Sequence, residues 1–344
     1  MNIRRAQPYF ILLLVLFEVP ALSQGKDATD ILNGLNVSPD QIEALESGDV
    51  VVMDASPYEQ TPRELVADAA VLVDSDFERL VDHFESDVSF IPVDTMLAHA
   101  EIERVEDFDT IGFTGAEYDE VKRLIKARPG KDFNFSAGEH ALIERKLRPL
   151  QNAGKEQQIR AASEVMRQIL TGRYLAYRAR GLDGIETYQR SARKSVSVAE
   201  DLRLTTATFE PLGEEFPGIY AAMTGIPGEQ DCCRDSFRWM KVRVAKRPVF
   251  ALAHTVYEVA DDYLIATERF YYGSSQINGV QITLAWLRYD ENTYMGLSVS
   301  ANADIVASPL GRMLRSVARS YAAEYAEDAL IEARAELQEA GAVE

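Results

Sequence analysis

Cysteine is almost absent from this chain of 344 residues, whose only two cysteines, Cys232 and Cys233, are adjacent. Neighbouring cysteines cannot cross-link distant parts of a fold, and alone they form neither a metal site nor the C-x-x-C motif of redox proteins. In an oxidising compartment they have three options: a strained vicinal ring, a bond between chains, or two reduced thiols. The fold must therefore rest on a hydrophobic core, for which 47% hydrophobic residues suffice.

The motifs of the common enzyme classes are also missing. There is no G-x-S-x-G elbow, no P-loop and no G-x-G-x-x-G fingerprint. The four histidines do not show the H-E-x-x-H spacing of zinc enzymes. We therefore expect no catalytic residue, no metal site and no cofactor. The histidines are His83, His99, His140 and His254.

Positive charge is scarce, with 36 lysines and arginines against 55 aspartates and glutamates and a net charge of −19. Such a chain repels phosphate backbones, so nucleic acid is not an expected partner. Residues 155–194 are the exception, with more basic than acidic side chains. This basic stretch suits either a patch for anionic headgroups or acidic partners, or an ordinary solvated helix face.

The N-terminus has the layout of a secretory signal peptide. Arg4 and Arg5 precede an apolar run from Tyr9 to Phe17, and Ala21 and Ser23 are small residues two apart. The run is about half of the ~20 residues that a membrane span needs. We predict a signal peptide over 1–23, with cleavage near Ser23 and export to the periplasm or the extracellular space; an uncleaved anchor is the alternative. No transmembrane span is expected in the mature chain.

The first half of the mature chain alternates strands and helices. Residues 24–48 form a polar lead-in, and a single domain is predicted over 49–340. Strands are expected at Val50–Ala55 and Glu64–Asp74. Capping boxes that pair Ser75 with Glu78, Thr114 with Glu117 and Ser136 with Glu139 predict helix starts, and a helical insert is expected over about 136–215.

The last third predicts an antiparallel meander and a closing helix. Four β-rich runs are separated by short turns, among them Asn278-Gly279, a strong hairpin signal. Ser308 and Pro309 then begin an amphipathic helix that extends to Leu337 and must lay its apolar stripe on something, most simply the sheet. The four runs are Val249–Val259, Tyr263–Gln276, Val280–Tyr289 and Tyr294–Ala303.

This order of elements resembles the helix-grip fold of the START-like superfamily. The resemblance implies an α+β fold in which a curved antiparallel sheet grips a long C-terminal helix, with a helical insertion in the middle. It also implies an apolar tunnel between sheet and helix. The chain is also locally similar to a set of uncharacterised exported bacterial proteins. It differs from them at Ser274, where a histidine is expected. The residues that carry the similarity are Trp239-Met240-Lys241, Lys246-Arg247-Pro248, His254, Tyr271 and the spacing of Tyr174, Tyr177, Gly181, Ile185 and Tyr188.

The candidate ligand-binding residues are aromatic and ionisable side chains of the meander and the segment before it. Glu268 and Arg288 lie on otherwise apolar strand faces, where they suit either a pocket or a surface ion pair. His254 suits a pocket or a hydrogen-bonded core position. Trp239 is either a lid or a loop anchor, with Lys241 facing an anionic headgroup in the first case. The full set is His254, Glu268, Tyr271, Trp286, Arg288, Trp239 and Lys241.

Export, an aromatic meander and an amphipathic closing helix together favour a non-enzymatic binder or carrier of a hydrophobic small molecule or lipid in the cell envelope. A small-molecule enzyme of hydrolase or cyclase type on the same fold is one alternative. A protein-interaction module with a filled core is the other. The residues predict no particular protein partner.

The signal peptide yields the first testable prediction. Chain expressed in a Gram-negative host should be recovered from the periplasm with Gln24 as its N-terminal residue, as read by intact mass. Ser23→Arg removes the small residue that cleavage requires and should leave the leader attached. Soluble wild-type protein that keeps Met1 would contradict the prediction.

Overall fold

An antiparallel sheet of eight strands organises the protein in the computed structural model, which describes residues 28–34, 37–86 and 95–341, without the side chains of residues 33, 83, 210, 211 and 336–341. The predicted signal peptide lies outside the described residues. The strands are β1 (Val51–Met53), β2 (Glu64–Val73), β3 (Met96–Glu101), β4 (Tyr188–Gln189), β5 (Ser195–Val196), β6 (Arg234–Val244), β7 (Arg247–Val259), β8 (Tyr263–Gly273), β9 (Gly279–Tyr289) and β10 (Asn292–Asn302). The sheet has the order β1-β2-β10-β9-β8-β7-β6-β3, and β4 pairs only with β5.

The predicted meander is present as β7 to β10, but it has one more strand than expected. Trp239 and Lys241 lie within β6 and not before the first strand of the meander. The β6–β7 hairpin turns at Ala245 and Lys246, which both have positive φ (47° and 67°). A hairpin turn with positive φ at both central residues usually contains Asn-Gly or Asp-Gly. Because Ala245 and Lys246 belong to neither type, the hairpin was not predicted.

The helices are concentrated between β3 and β6 and at the two ends of the described chain. The predicted long helix is α6, which ends at Gly181, where φ is 55°. The Ser136–Glu139 capping box is formed at the start of α5. The helices are α1 (Ala28–Gly34), α2 (Pro39–Glu46), α3 (Phe77–Ser86), α4 (Tyr118–Ile125), α5 (Ala137–Lys146), α6 (Lys155–Arg180), α7 (Val198–Ala207), α8 (Glu210–Glu215), α9 (Pro217–Thr224), α10 (Asp304–Ala307), α11 (Pro309–Met313) and α12 (Arg315–Gly341).

Each face of the sheet packs on a different part of the chain. On the face that we call the insert face, Phe237, Trp239 and Leu252 pack against α4, α5, α6 and α7, and α1, α2, α8 and α9 cover the rest. On the opposite face, the grip face, Leu264 and Trp286 pack under α3 and α12. The α+β class, the curved antiparallel sheet, the helical insertion and the long C-terminal helix are as predicted, and they are compatible with a helix-grip architecture.

The C-terminal helix lies on the sheet along only part of its length. Ala326 and Leu330 are buried against β2 and its neighbours. The N-terminal end of α12 is fixed by Arg315, which pairs with buried Glu59 at 2.7 Å and donates to backbone carbonyls of residues 61, 62 and 64. The preceding part of the predicted stripe is exposed, with 44–72% of each residue accessible at Leu310, Met313, Leu314, Val317 and Tyr321.

None of the helices in the described part of the chain is both long and apolar enough to cross a bilayer. The longest of them, α6 and α12, carry charged side chains along their whole length.

The uneven packing of α12 predicts a matched difference between two substitutions. Leu330→Ala should lower the free energy of unfolding by about 2–5 kcal/mol, because it leaves a cavity against the sheet. Tyr321→Ala, at a site that is 69% exposed, should change it by less than about 0.5 kcal/mol. Urea denaturation measures both, and equal losses would show that the exposed half of the stripe is also packed.

Candidate functional site

A cavity of about 430 Å³ opens on the insert face. Its floor is formed by small residues of three neighbouring strands, because Gly296 of β10 lies directly between Ala70 of β2 and Ala285 of β9. The absence of large side chains along this row leaves a depression in a sheet that is otherwise well covered. We call it the Asp68 cleft. Its apolar walls come from Leu32, Val37, Phe209, Leu212, Leu287 and Tyr294.

A row of polar side chains runs beside the small residues. Asp68, Ser298 and Thr283 face one another across β2, β10 and β9, two positions along the strands from the row of small residues. The Thr283 hydroxyl is 3.1 Å from that of Thr267 in β8. The cleft therefore combines an apolar wall with one polar edge, as ligand pockets for small molecules generally do.

Asp68 is the ionisable group of this edge. Its Oδ1 atom is inaccessible to solvent and has no hydrogen-bond partner in the structure. Burial raises the pKa of Asp68 above its ordinary value, although a hydrogen bond from the Ser298 side chain opposes the shift. A buried oxygen without a partner is uncommon in proteins, and a bound ligand or water with a donor group would satisfy it.

A second cavity, of about 280 Å³, lies on the grip face between α12 and the sheet. Its floor is almost wholly apolar, and Tyr325 of α12 and Arg243 of β6 stand at its sides. This groove occupies the position at which the helix-grip resemblance predicts a ligand tunnel. The described lining of this groove contains no acidic side chain. The floor is formed by Val249, Ala251, Phe270, Val280, Ile282 and Val299.

The predicted residues His254 and Tyr271 lie together in a buried network on the insert face. The Tyr177 hydroxyl is 3.2 Å from Nδ1 of His254 and also accepts a hydrogen bond from Arg269 at 3.3 Å. Tyr271 stacks on Tyr177 with 3.9 Å between ring centroids. Burial lowers the pKa of His254, against the opposing effect of Asp235, so the imidazole is favoured in its neutral form. His254 thus holds a hydrogen-bonded position in the core.

Trp239 and Lys241 lie further along the same face and hold the loop that follows β3. The Trp239 indole N–H donates to the carbonyl of Asp107 at 3.2 Å. The Lys241 ammonium donates to the carbonyl of Gly112 at 2.8 Å and pairs with Glu117 at 3.0 Å. Both side chains are buried, so they act as loop anchors in this structure.

Glu268, Trp286 and Arg288 belong to the grip face and its rim. Glu268 is fully buried with Arg238 at 3.7 Å, and Arg288 pairs with Glu78 of α3 at 2.5 Å. The two are therefore not partners of each other. Trp286 packs edge to face on Phe84. None of the seven predicted residues lines the Asp68 cleft or the grip-face groove, and their ligand-binding role stays a prediction.

The polar residues of the Asp68 cleft were missed by the sequence analysis. Asp68 interrupts the apolar run of β2, and Gly296 stands in the middle of β10, where a strand normally carries a side chain. An acid within an apolar strand and a glycine in a strand centre each indicate an unusual environment. Only the pairing of the two strands brings these signals together.

No family model, curated protein or solved structure matches this chain. Its function is therefore inferred from the geometry and chemistry of the site.

Removing the hydroxyl group should affect folding stability differently at the two stacked residues, Tyr177 and Tyr271. Tyr177→Phe removes a hydroxyl that contacts both His254 and Arg269, and it should cost about 1–3 kcal/mol of folding free energy. Tyr271→Phe removes a buried hydroxyl that has no hydrogen-bond partner, and it should be neutral or stabilising. Thermal and urea denaturation compare the two. A loss of more than about 1 kcal/mol in Tyr271→Phe would indicate that its hydroxyl has a partner after all.

Proposed function

We propose that this protein is an exported binder or carrier of a small, mostly apolar molecule that bears a hydroxyl or amine group, held in the Asp68 cleft. The observation that carries the proposal is the unpartnered, inaccessible Oδ1 of Asp68 beside an apolar cavity. Apolar surface supplies affinity, at about 2.5 kcal/mol for each 100 Å² buried. Asp68 supplies orientation and selects a donor group.

The size of the cleft supports a small-molecule ligand. Pockets for such ligands generally enclose about 300–1,000 Å³ and place a few polar groups within an apolar lining. A volume of about 430 Å³ lies at the lower end of this range. The ligand would accordingly be a compact molecule rather than a two-chain phospholipid.

Charge narrows the ligand class further. Asp54 and Asp68 both line the cleft, and its described lining contains neither lysine nor arginine. A hydrogen bond from the Ser56 side chain lowers the pKa of Asp54, so this carboxylate is charged at neutral pH. An anionic head group would meet repulsion here, whereas a neutral alcohol or a protonated amine would be favoured.

Membership of the START-like superfamily and secretion are parts of the same proposal. The open antiparallel sheet and the long C-terminal helix support the first, and the layout of residues 1–23 supports the second. The proposed ligand site lies on the sheet face opposite α12. In this protein the region between α12 and the sheet would then be a second, more apolar cavity.

Two matched substitutions test which cavity binds. A Cβ built at Gly296 has its nearest neighbours at 3.7 Å, so Gly296→Val fits the strand while filling the cleft. Ala251→Val adds similar bulk to the groove on the other face. Native mass spectrometry of protein purified without detergent should show a bound apolar molecule in the wild type and in Ala251→Val, with at least about a tenfold weaker affinity in Gly296→Val, equivalent to 1.4 kcal/mol.

The dependence of ligand affinity on the ionisation of Asp68 provides a second test of the proposal. If the ligand is an amine, its affinity should rise with pH through the raised pKa of Asp68, because the carboxylate form binds it. Asp68→Asn should remove this pH dependence and weaken an amine more than an alcohol. The absence of any bound molecule, together with no thermal shift from a panel of apolar alcohols and amines, would refute the proposed function.

A further inference from the structure

Two cysteines and a glutamate converge where the segment before β6 meets the end of β7. The Sγ atoms of Cys232 and Cys233 and a carboxylate oxygen of Glu258 all lie within 4.8 Å of one another. The distance from Cys233 Sγ to Glu258 Oε2 is 3.9 Å. Cys232 is exposed and Cys233 is partly buried, so the group is accessible from solvent.

Glu258 is a buried acid without a basic partner. Only 8% of the residue is exposed, and no lysine or arginine of the described chain forms an ion pair with it. Its Oε1 accepts a hydrogen bond from the Tyr263 hydroxyl at 2.7 Å, which leaves Oε2 directed toward the sulfurs. Buried carboxylates are normally paired with a cation or bound to a metal.

A buried histidine lies beside the same group. His254 is 3% exposed, and its Nε2 has no hydrogen-bond partner, with Asp235 Oδ2 at 3.9 Å. His254, Asp235 and Cys233 line a cavity of about 10 Å³, which is roughly the space of one water molecule. The Nε2 side of His254 and Cys233 therefore border the same small cavity, and Asp235 faces the imidazole there.

We propose that Cys232, Cys233 and Glu258 bind a thiophilic divalent cation of the zinc class, with the fourth position open toward the cavity at His254. Tetrahedral zinc with sulfur and oxygen ligands requires about 3.6–3.8 Å between ligand atoms. The distance of 3.9 Å between Cys233 and Glu258 is close to this value, and the remaining separations, all below 4.8 Å, need adjustments of about 1 Å or less. Thiolate ligands favour zinc and copper over magnesium or calcium.

The surrounding chain is fitted closely to these atoms. A Cβ at Gly218 of α9 would lie 2.9 Å from Glu258 Oε2 and 3.0 Å from Cys232 Sγ. The backbone of α9 therefore passes directly over the carboxylate and the sulfur. Tyr263 holds Glu258 in place through its hydrogen bond, as groups around metal ligands commonly do.

Binding must release protons, because thiols bind metal as thiolates. A cysteine thiol has an ordinary pKa of about 8.5 and is mostly protonated at neutral pH. One divalent cation would therefore displace two thiol protons to solvent and leave the Glu258 carboxylate ionised. The affinity should increase with pH.

Cobalt titration of the reduced full mature chain tests the site. We expect one Co²⁺ per chain, with thiolate-to-cobalt charge-transfer absorption and the visible bands of tetrahedral cobalt, displaced by one equivalent of Zn²⁺. Cys232→Ser should remove much of the charge-transfer absorption, and because this residue is exposed the variant should fold normally. Tyr263→Phe should weaken binding by about 10–100-fold.

Asp231→Asn serves as the matched control, since Asp231 is an exposed acid next to Cys232 and outside the proposed ligand set. It should bind cobalt as the wild type does. Absence of charge-transfer absorption in the reduced wild type, or its persistence in Cys232→Ser/Cys233→Ser, would overturn the proposal. So would equal weakening by Asp231→Asn and Glu258→Gln, which would indicate only general attraction to acidic surface.

Discussion

Strand β8 is buried along its entire length, yet its centre consists of Thr267, Glu268 and Arg269. Burying such groups without partners would cost several kcal/mol, so the neighbouring elements must supply hydrogen bonds. Arg269 donates to Gln281 of β9, Thr206 of α7 and the Tyr177 hydroxyl of α6. These directional contacts fix two helices of the insertion above β8.

The position of the cleft follows from this arrangement. The insertion is held tightly over β7 and β8 by polar contacts and by the stacked pair of Tyr177 and Tyr271. Helix α7 extends these polar contacts to one end of β2 and β10, where Thr205 contacts Glu64 and Ser300. The rest of β2, β10 and β9 lies under the shorter helices α1, α2 and α8, and there the strands carry small residues. The same sheet face is therefore densely packed at one end and open at the other. The hydrogen bonds that hold the insertion over β7 and β8 and the cavity over β2, β10 and β9 therefore belong to the same face of the sheet.

Much of the fold could be predicted from local signals. The Ser136–Glu139 capping box and the period of α6 each depend on residues close in sequence. The turn predicted at Asn278-Gly279 was wrong in position: the β8–β9 loop covers residues 274–278, its positive φ (68°) is at Gln276, and Gly279 already belongs to β9. The β6–β7 hairpin was missed because Ala245 and Lys246 adopt positive φ without glycine or asparagine. An irregularity between β7 and β8 could not be predicted either. The register of the two strands shifts after Leu252, so Tyr271 has no partner residue in β7, and the side chains of Tyr271 and Tyr272 lie on the same face. A strict alternation of side chains along the strand predicts opposite faces for these two residues.

The candidate site was less predictable than the fold, for a physical reason. The candidate ligand-binding residues were large aromatic and charged side chains such as Trp239 and Lys241, and in the structure these two make local anchoring contacts, the alternative already open for Trp239. The cleft depends instead on the lack of large side chains at Gly296, Ala70 and Ala285, and on the acid Asp68, which lies opposite Ser298. Strand pairing over more than 200 positions brings Ala70 beside Gly296, and residue composition gives no sign of it.

The row formed by Ala70, Gly296 and Ala285 has a consequence for how such a protein could change its ligand. At these positions the side chain is a methyl group or a hydrogen, so it makes no hydrogen bond. The room inside the cleft can then be altered one methyl group at a time, while the pairing of β2, β10 and β9 stays as it is. The side chains of these three residues set the size of the ligand that fits the cleft, whereas their backbone groups pair the strands of the sheet.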